Sequence, residues 1–100
     1  MTYDLDCRYD TRNSFYGKAK VKTFINNNNV IFRKELYSYG TLVATINIYD
    51  FKGKIEKTEY RYLGKYSQTT TRHQKEFFKQ NGLSDKEIKE LFKNGVLEVQ

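Results

Sequence analysis

The sequence predicts an α+β fold: an antiparallel meander of four or five strands with two C-terminal helices packed on one face. Apolar and polar residues alternate with period two through much of residues 1–65, whereas apolar residues recur every three or four positions in residues 66–100. A run of strands followed by a run of helices is typical of this class. We therefore expect one domain, residues 1–100, with the sheet in residues 1–65 and a helical hairpin and tail in residues 66–100.

The first half of the meander is predicted in residues 3–39. The segment YDLDCRYD alternates apolar and charged residues, which predicts either a fifth strand or an ordered arm. The segment GKAKVKTFI places Ala19 and Val21 on one face and three lysines on the other. The four asparagines that follow predict a turn, since Asn tolerates the left-handed conformation, and VIFRKELYSY is the return strand.

The second half of the meander begins with TLVATINIYDF, the clearest strand because it is rich in β-branched residues. A turn around Lys52 and Gly53 leads into IEKTEYRYL, in which Tyr60 and Tyr62 share one face. Two hairpins in succession give the antiparallel meander.

The first helix is predicted to begin near Thr71 and to end at about Asn81. Thr71 and Gln74 have the spacing of a capping box, in which two side chains satisfy free backbone N–H groups at a helix start. Gly82 can adopt the left-handed conformation that commonly ends a helix.

The second helix is predicted from a second capping box, Ser84 with Glu87, to Gly95. Its apolar residues fall on one stripe, and the segment VLEVQ that follows is an apolar tail. Two capped helices around a glycine could also form a DNA-binding helix-turn-helix. However, the second helix has no net charge, and Asp85 with Glu87 would repel phosphate at the end that enters the groove. A helical hairpin that covers the sheet is the better interpretation. The residues expected in the core are Ile46, Ile48, Tyr60, Phe77, Ile88 and Leu91.

The formal net charge of +6 is concentrated in residues 11–65, which hold eleven Lys or Arg and four Asp or Glu. Such a field attracts polyanions or acidic protein surfaces. The single cysteine, Cys7, cannot form an internal disulfide, which fits a reducing cytoplasm. The sequence contains no apolar run of about 18 residues that would predict a membrane span.

No pattern in the sequence predicts catalysis, a metal or a cofactor. His73 and Cys7 are each the only residue of their type, and nothing marks a third group that would orient them. We expect His73 to be a surface or half-buried packing residue, and Asp4, Asp6 and Asp10 to be solvated charges. The protein is therefore expected not to be an enzyme and to need no cofactor.

Basic residues project from the outward positions of the predicted strands, where they form the candidate binding face. Cations can follow a phosphate backbone while aromatic rings such as Phe24 stack on bases, so nucleic acid is one partner that such a face can bind. No consensus of an RNA-recognition motif accompanies them. The candidate binding residues are Lys18, Lys20, Lys22, Arg33, Tyr37, Lys57, Arg61 and, from the first helix, Arg72.

Two segments, SYGTLVATI and GKYSQTTTRHQKEFFKQNGL, resemble a small domain that recurs in phage and prophage proteins of low-GC Gram-positive bacteria. The resemblance covers about residues 38–83, and the segment INIYDFKGKIEKTEYRYL departs from the shortest members. No activity is established for that domain, so the resemblance assigns no catalytic residue. The residues that match its pattern are Ser38, Tyr39, Thr41, Val43, Ala44, Tyr66, Ser67, Thr69, Thr70, Arg72, His73 and Phe77.

The resemblance implies a context in which small non-enzymatic phage proteins bind host machinery. The first expectation is an inhibitor that binds a host defence nuclease, such as a CRISPR effector, by protein–protein contact in the host cytoplasm. Two alternatives stay open: a nucleic-acid-binding accessory protein that uses the basic sheet face, and a phage structural or assembly component.

Overall fold

The computed structural model describes residues 1–12 and 14–100 of the chain. All of its strands form one antiparallel sheet, in which each strand neighbours the next in sequence. The α+β fold is confirmed, but the sheet has six strands instead of four or five. In chain order the elements are β1 (Thr2–Asp4), β2 (Ala19–Ile25), β3 (Ile31–Ser38), β4 (Thr41–Phe51), β5 (Lys54–Tyr62), α1 (Gln68–Gln80), α2 (Asp85–Asn94) and β6 (Val96–Val99).

The two terminal segments account for the difference in strand number. The N-terminal segment is a strand only at Thr2–Asp4; the Leu5 N–H still donates to the Ala19 carbonyl at 2.9 Å, and the chain then leaves the sheet. The tail is not merely an apolar extension, because Val96–Val99 pairs with β5 and places Leu97 opposite Tyr60. Four residues are too few for their periodicity to identify a strand, so the sheet is not confined to residues 1–65.

The start of α1 lies earlier than predicted. Its N-cap is Ser67, whose Oγ accepts the backbone N–H of Thr70 at 3.1 Å, so Thr71 is inside the helix. Gln74 does not reach back to a helix start, because its Nε2 donates to the carbonyl of Val43 instead, at 3.0 Å. The predicted capping box at Thr71 is therefore wrong.

The C-terminal ends of both helices and the start of α2 lie where they were predicted. Gly82 has φ +96°, and the N–H groups of Gly82 and Leu83 donate to the carbonyls of Lys79 and Phe78, which is the Schellman arrangement. Ser84 and Glu87 form the predicted capping box of α2, with both reciprocal bonds present. Gly95, with φ +83°, closes α2 in the left-handed conformation.

Both helices cover the same face of the sheet, which we call the inner face; the opposite face is the outer face. Leu36 on β3 and Leu91 on α2 are fully buried between the two layers. The predicted core residues are buried except Ile48, which is only half-buried. Neither helix in residues 1–12 and 14–100 is long and apolar enough to cross a membrane.

The sheet extends well beyond the helices at one end. The helical layer ends near Lys34 and Tyr60, since the side chain of Lys34 binds the side chain of Asn81 and the Tyr60 hydroxyl donates to the Asn81 carbonyl at 3.3 Å. β4 continues five residues beyond Ile46, which is about 17 Å at about 3.3 Å per residue. The β2–β3 and β4–β5 hairpins therefore project past the helices, and the tip of the second turns at Lys52 and Gly53, both with positive φ.

Candidate binding surfaces of the sheet

The predicted binding residues of the strands lie on the outer face. The register aligns Lys20 with Tyr37, Lys22 with Glu35, and Lys57 with Tyr49, all on the side away from the helices. Arg33 and Arg61 occupy the same face on β3 and β5.

The centre of the outer face is an ion-pair network. Arg33 binds Glu35 at 2.9 Å and donates to the Asn47 side chain at 2.8 Å. Asn47 in turn donates to Glu59 at 3.4 Å, and Arg61 binds Glu59 at 2.8 Å. The hydrogen bond from Arg61 lowers the pKa of Glu59. Both arginines therefore already have carboxylate partners.

The other predicted cations of the outer face are largely compensated too. Lys20 pairs with Asp4 at 2.6 Å, and Lys57 with Glu98 at 3.5 Å. Tyr37 donates its hydroxyl to Glu35 at 2.7 Å, so this ring is oriented by the network. The central outer face is much less positive than its lysines and arginines suggest.

Three predicted binding residues lie outside this network: Lys22, which lies over the Phe24 ring, Lys18 and Arg72. Lys18 precedes β2, where its carbonyl accepts the N–H of Tyr39 at 2.8 Å, and it lines a shallow pocket of about 410 Å³ at the end of the sheet opposite the hairpin tips. Arg72 is on α1, where its Nη1 lies 3.5 Å from Asp10. The structure does not bring Arg72 to the sheet face.

Aromatic and basic side chains concentrate at the projecting end of the outer face, which we call the hairpin-tip surface. The Phe24 and Phe32 ring centroids are 6.3 Å apart, because a bulge in the β2–β3 ladder after Phe24 leaves Phe32 beside that ring. Three lysines lie over rings at 4.9–5.4 Å from the centroids. The residues of the hairpin-tip surface are Phe24, Phe32, Tyr49, Phe51, Lys22, Lys52 and Lys57.

The inner face of the same end carries isoleucines with no helix over them, and we call it the inner ledge. Strand alternation and register place Ile25 and Ile31 opposite each other and Ile55 opposite Asp50 on the second hairpin, while Ile48, nearer the helices, packs against the core. Ile25 is 56% and Ile55 66% exposed. Lys34 stands at the base of the ledge, half-buried, and burial lowers its pKa.

Half of the residues that carry the phage-domain resemblance are buried in a joint between β3, β4 and α1, whereas Tyr39, Thr41, Tyr66 and Ser67 are exposed. The buried ones are Ser38, Val43, Ala44, Thr70, His73 and Phe77. Ser38 Oγ shares hydrogen bonds of 2.8 Å with both Thr70 Oγ1 and His73 Nδ1. At a bulge in the β3–β4 ladder, the Val43 carbonyl accepts a hydrogen bond from the side chain of Gln74. The buried part of this motif is explained by packing of the helix on the sheet.

His73 is completely buried within this joint, so the expected surface or half-buried position is wrong. The Phe15 ring and the imidazole pack edge to face, with centroids 4.6 Å apart, and Nε2 has no hydrogen-bond partner among the residues that the structure describes. Burial lowers the pKa of His73, and burial raises the pKa of the Cys7 thiol, helped by Asp10 and Glu76. These environments favour neutral groups rather than an activated pair. No group of three or more His, Cys, Asp or Glu that could hold a metal occurs in the described ranges.

The N-terminal arm is fastened to α1 by a carboxylate that no sequence pattern singled out. Glu76 is 1% exposed, and its Oε1 accepts the backbone N–H groups of Tyr9 and Asp10, each at 2.9 Å. Its Oε2 accepts from Gln80 at 2.6 Å. The segment after β1 is thus an ordered arm, one of the two predicted alternatives.

The inner ledge was missed from the sequence, and only Lys22, Phe24 and Lys57 of the hairpin-tip surface were expected on a binding face, although lengths alone contain a signal. An 11-residue strand such as β4 spans about 36 Å, whereas the 13-residue helix α1 spans about 20 Å. A helix of that length cannot cover the whole strand, so apolar residues at one strand end had to remain uncovered.

Comparison with known families adds one finding. A family model described as a family of unknown function (DUF8033) matches residues 3–94, a range that contains both helices and both projecting hairpins. No curated protein and no solved structure matches the chain.

Proposed function

We propose that this chain, which belongs to the DUF8033 family, is a non-enzymatic binding protein that inhibits a host defence nuclease, such as a CRISPR effector, by protein–protein contact. The inner ledge is the observation that supports protein contact most directly. Exposed apolar side chains that adjoin one another on a folded surface mark interaction sites. The nuclease class comes from the phage-type resemblance.

The chemistry of the ledge describes its partner. The ledge is about 17 Å deep, and an α-helix with its side chains is about 10–12 Å across, so one helix of a partner fits on it. Lys34 stands at its base, and Asp50 lies opposite Ile55 near its tip. A partner helix with an apolar stripe, a carboxylate near Lys34 and a cation near Asp50 would complement the ledge.

The proposal that the protein is not an enzyme is supported by the surroundings of its two candidate catalytic groups. His73 is enclosed by Phe15 and Ser38, and burial raises the pKa of the Cys7 thiol. We expect the inhibitory effect to survive Cys7→Ala and His73→Ala once the stability cost of the buried imidazole is allowed for. Loss of the effect in a folded, equally stable His73→Ala protein would contradict this.

The decisive experiment is capture of the protein's partner from host lysate before and after digestion of nucleic acid, followed by a cleavage assay with the captured nuclease. We expect a nuclease to remain bound after digestion and its DNA cleavage to be inhibited. The double variant Ile25→Asp with Ile55→Asp should weaken binding at least about tenfold, because it places charge on the ledge. Tyr66→Asp, which changes an exposed ring at the opposite end of the sheet, should not.

Three results would contradict the proposal. They are retention of virion proteins instead of a nuclease, loss of the partner on digestion of nucleic acid, and equal binding by the ledge variant and the wild type. The first would favour an assembly component.

A further inference from the structure

We propose that the hairpin-tip surface binds single-stranded nucleic acid, with its aromatic rings stacking on bases and its lysines contacting phosphates. This site lies on the outer face, whereas the inner ledge lies on the other side of the same strands, so the inference does not depend on the proposed function. It also differs from the basic face expected from the sequence, whose central cations already have carboxylate partners.

Three aromatic rings of the hairpin-tip surface are exposed to solvent. Phe32, Tyr49 and Phe51 are 42%, 44% and 60% exposed, which is unusual for large aromatic side chains in a small domain. Tyr49 and Phe51 are two residues apart on one face of β4, a separation of about 6.8 Å at about 3.4 Å per residue. Each can therefore present its face to a different base.

Lysines near these rings are available to bind phosphate. Lys22 and Lys52 lie over the Phe24 and Phe51 rings and have no carboxylate partner within salt-bridge distance in the described chain; Lys54, opposite Phe51, has none either. Glu56 is a neighbouring carboxylate, and Glu35, opposite Lys22, is already bound by Arg33 and Tyr37. Cations without internal partners are available for phosphate, and the central arginines are not.

Lys22, Lys52 and Lys57 each lie over a ring that a base would use, and relative strengths decide which contact persists. An exposed cation–π contact corresponds to about a 2–5-fold change in an equilibrium constant. Stacking of a base on an aromatic ring corresponds to about 5–150-fold. A base therefore displaces the ammonium group, which remains next to the ring and within reach of the adjoining phosphate.

The same chemistry selects single strands over duplexes. Stacking requires a free base face, and the bases of a duplex are already stacked on one another. RNA and DNA single strands both offer free faces, and the 2′-hydroxyl is the feature by which a site could prefer RNA.

The test is fluorescence anisotropy with labelled oligouridylate, oligothymidylate and a duplex, each about 12 nucleotides long, at about 50 and 200 mM salt. We expect both single strands to bind at least about tenfold more tightly than the duplex. Tyr49→Ala and Phe51→Ala should each weaken binding about 5–150-fold. Lys52→Gln should reduce the slope of log affinity against log salt by about 0.7.

Control variants test whether binding depends on the hairpin tips. Tyr66→Ala, at the far end of the sheet, should leave binding unchanged, and an uncharged ledge variant, Ile25→Ser with Ile55→Ser, should do so as well. Circular dichroism establishes that every variant has the wild-type fold. The inference is overturned by equal affinity for single strand and duplex, by no detectable binding at about 50 mM salt, or by full binding in both aromatic variants.

Discussion

The attachment of the N-terminal arm to α1 gives a sharp test of the structure. We consider the change Glu76→Ala, which removes a buried carboxylate that accepts backbone N–H groups from Tyr9 and Asp10 at 2.9 Å. The expected consequence is release of the arm from the helix and a lower free energy of unfolding.

The magnitude follows from the two hydrogen bonds. A hydrogen bond to a charged group contributes about 1.5–3 kcal/mol, so two would give about 3–6 kcal/mol if both donors stayed buried. The released arm can expose its N–H groups to water, which limits the loss, and we expect about 3 kcal/mol for Glu76→Ala. Glu76→Gln keeps an acceptor oxygen without the charge and should lose about 1–1.5 kcal/mol.

The assay combines urea unfolding with amide hydrogen exchange. The unfolding midpoint gives the overall loss, and exchange at Tyr9 and Asp10 reports whether the arm itself opens. Glu90→Ala is the matched control, because Glu90 is an exposed glutamate on α2. It should change stability by less than about 0.5 kcal/mol.

One pair of results would refute this reasoning. If Glu76→Ala lowers stability by no more than the Glu90→Ala control, and the Tyr9 and Asp10 amides stay protected, the arm does not depend on the carboxylate. Loss of stability without faster exchange at these amides would assign the effect to α1 packing instead.

Three further predictions concern pH, helix capping and charge. Burial lowers the pKa of His73, so below about pH 6.5 the unfolded chain binds a proton that the folded chain does not. Unfolding free energy should therefore fall from about pH 7.5 to pH 5 in the wild type, and fall less in His73→Asn; equal slopes would contradict this. Ser84→Ala removes the α2 cap and should cost about 1 kcal/mol, seen by calorimetry as a melting temperature about 4–8 °C lower; an unchanged melting temperature would contradict it. Lys20→Glu with Lys22→Glu should weaken partner binding mainly through the association rate, measured by surface plasmon resonance. Duplex DNA should bind the protein only weakly and without sequence preference. Tight sequence-specific duplex binding that this variant retains would show that the class of function is wrong.

Features that depend on a few neighbouring residues could be predicted from the amino-acid sequence. Strand alternation identified β2 to β5, and the caps at Ser84, Gly82 and Gly95 were predicted at the correct residues. A cap or an alternating face is encoded within one turn of helix or one strand, so no distant contact is needed to recognise it.

The start of α1 shows where local patterns become ambiguous. Ser67 and Thr71 can both cap a helix, and contacts with residues outside the helix determine that Ser67 is the N-cap. Gln74 is drawn to the carbonyls of Val43 and Gly64, so it cannot complete a box with Thr71. Ser38 similarly fixes His73 inside the core.

The folded arrangement of strands and helices sets which charges are free and which apolar residues are uncovered. Arg33 and Arg61 were recognised from the sequence as basic residues of one face. Their carboxylate partners, Glu35 and Glu59, lie two residues away on the same strands, whereas the cross-strand register brought Asn47, which links the two ion pairs. Likewise, Glu76 meets the N–H of Tyr9 across 67 positions of sequence, and no local pattern connects them. Electrostatic pairing and burial depend on distances in space. Those distances are set by the register of the strands and by where the helices end relative to the hairpin tips.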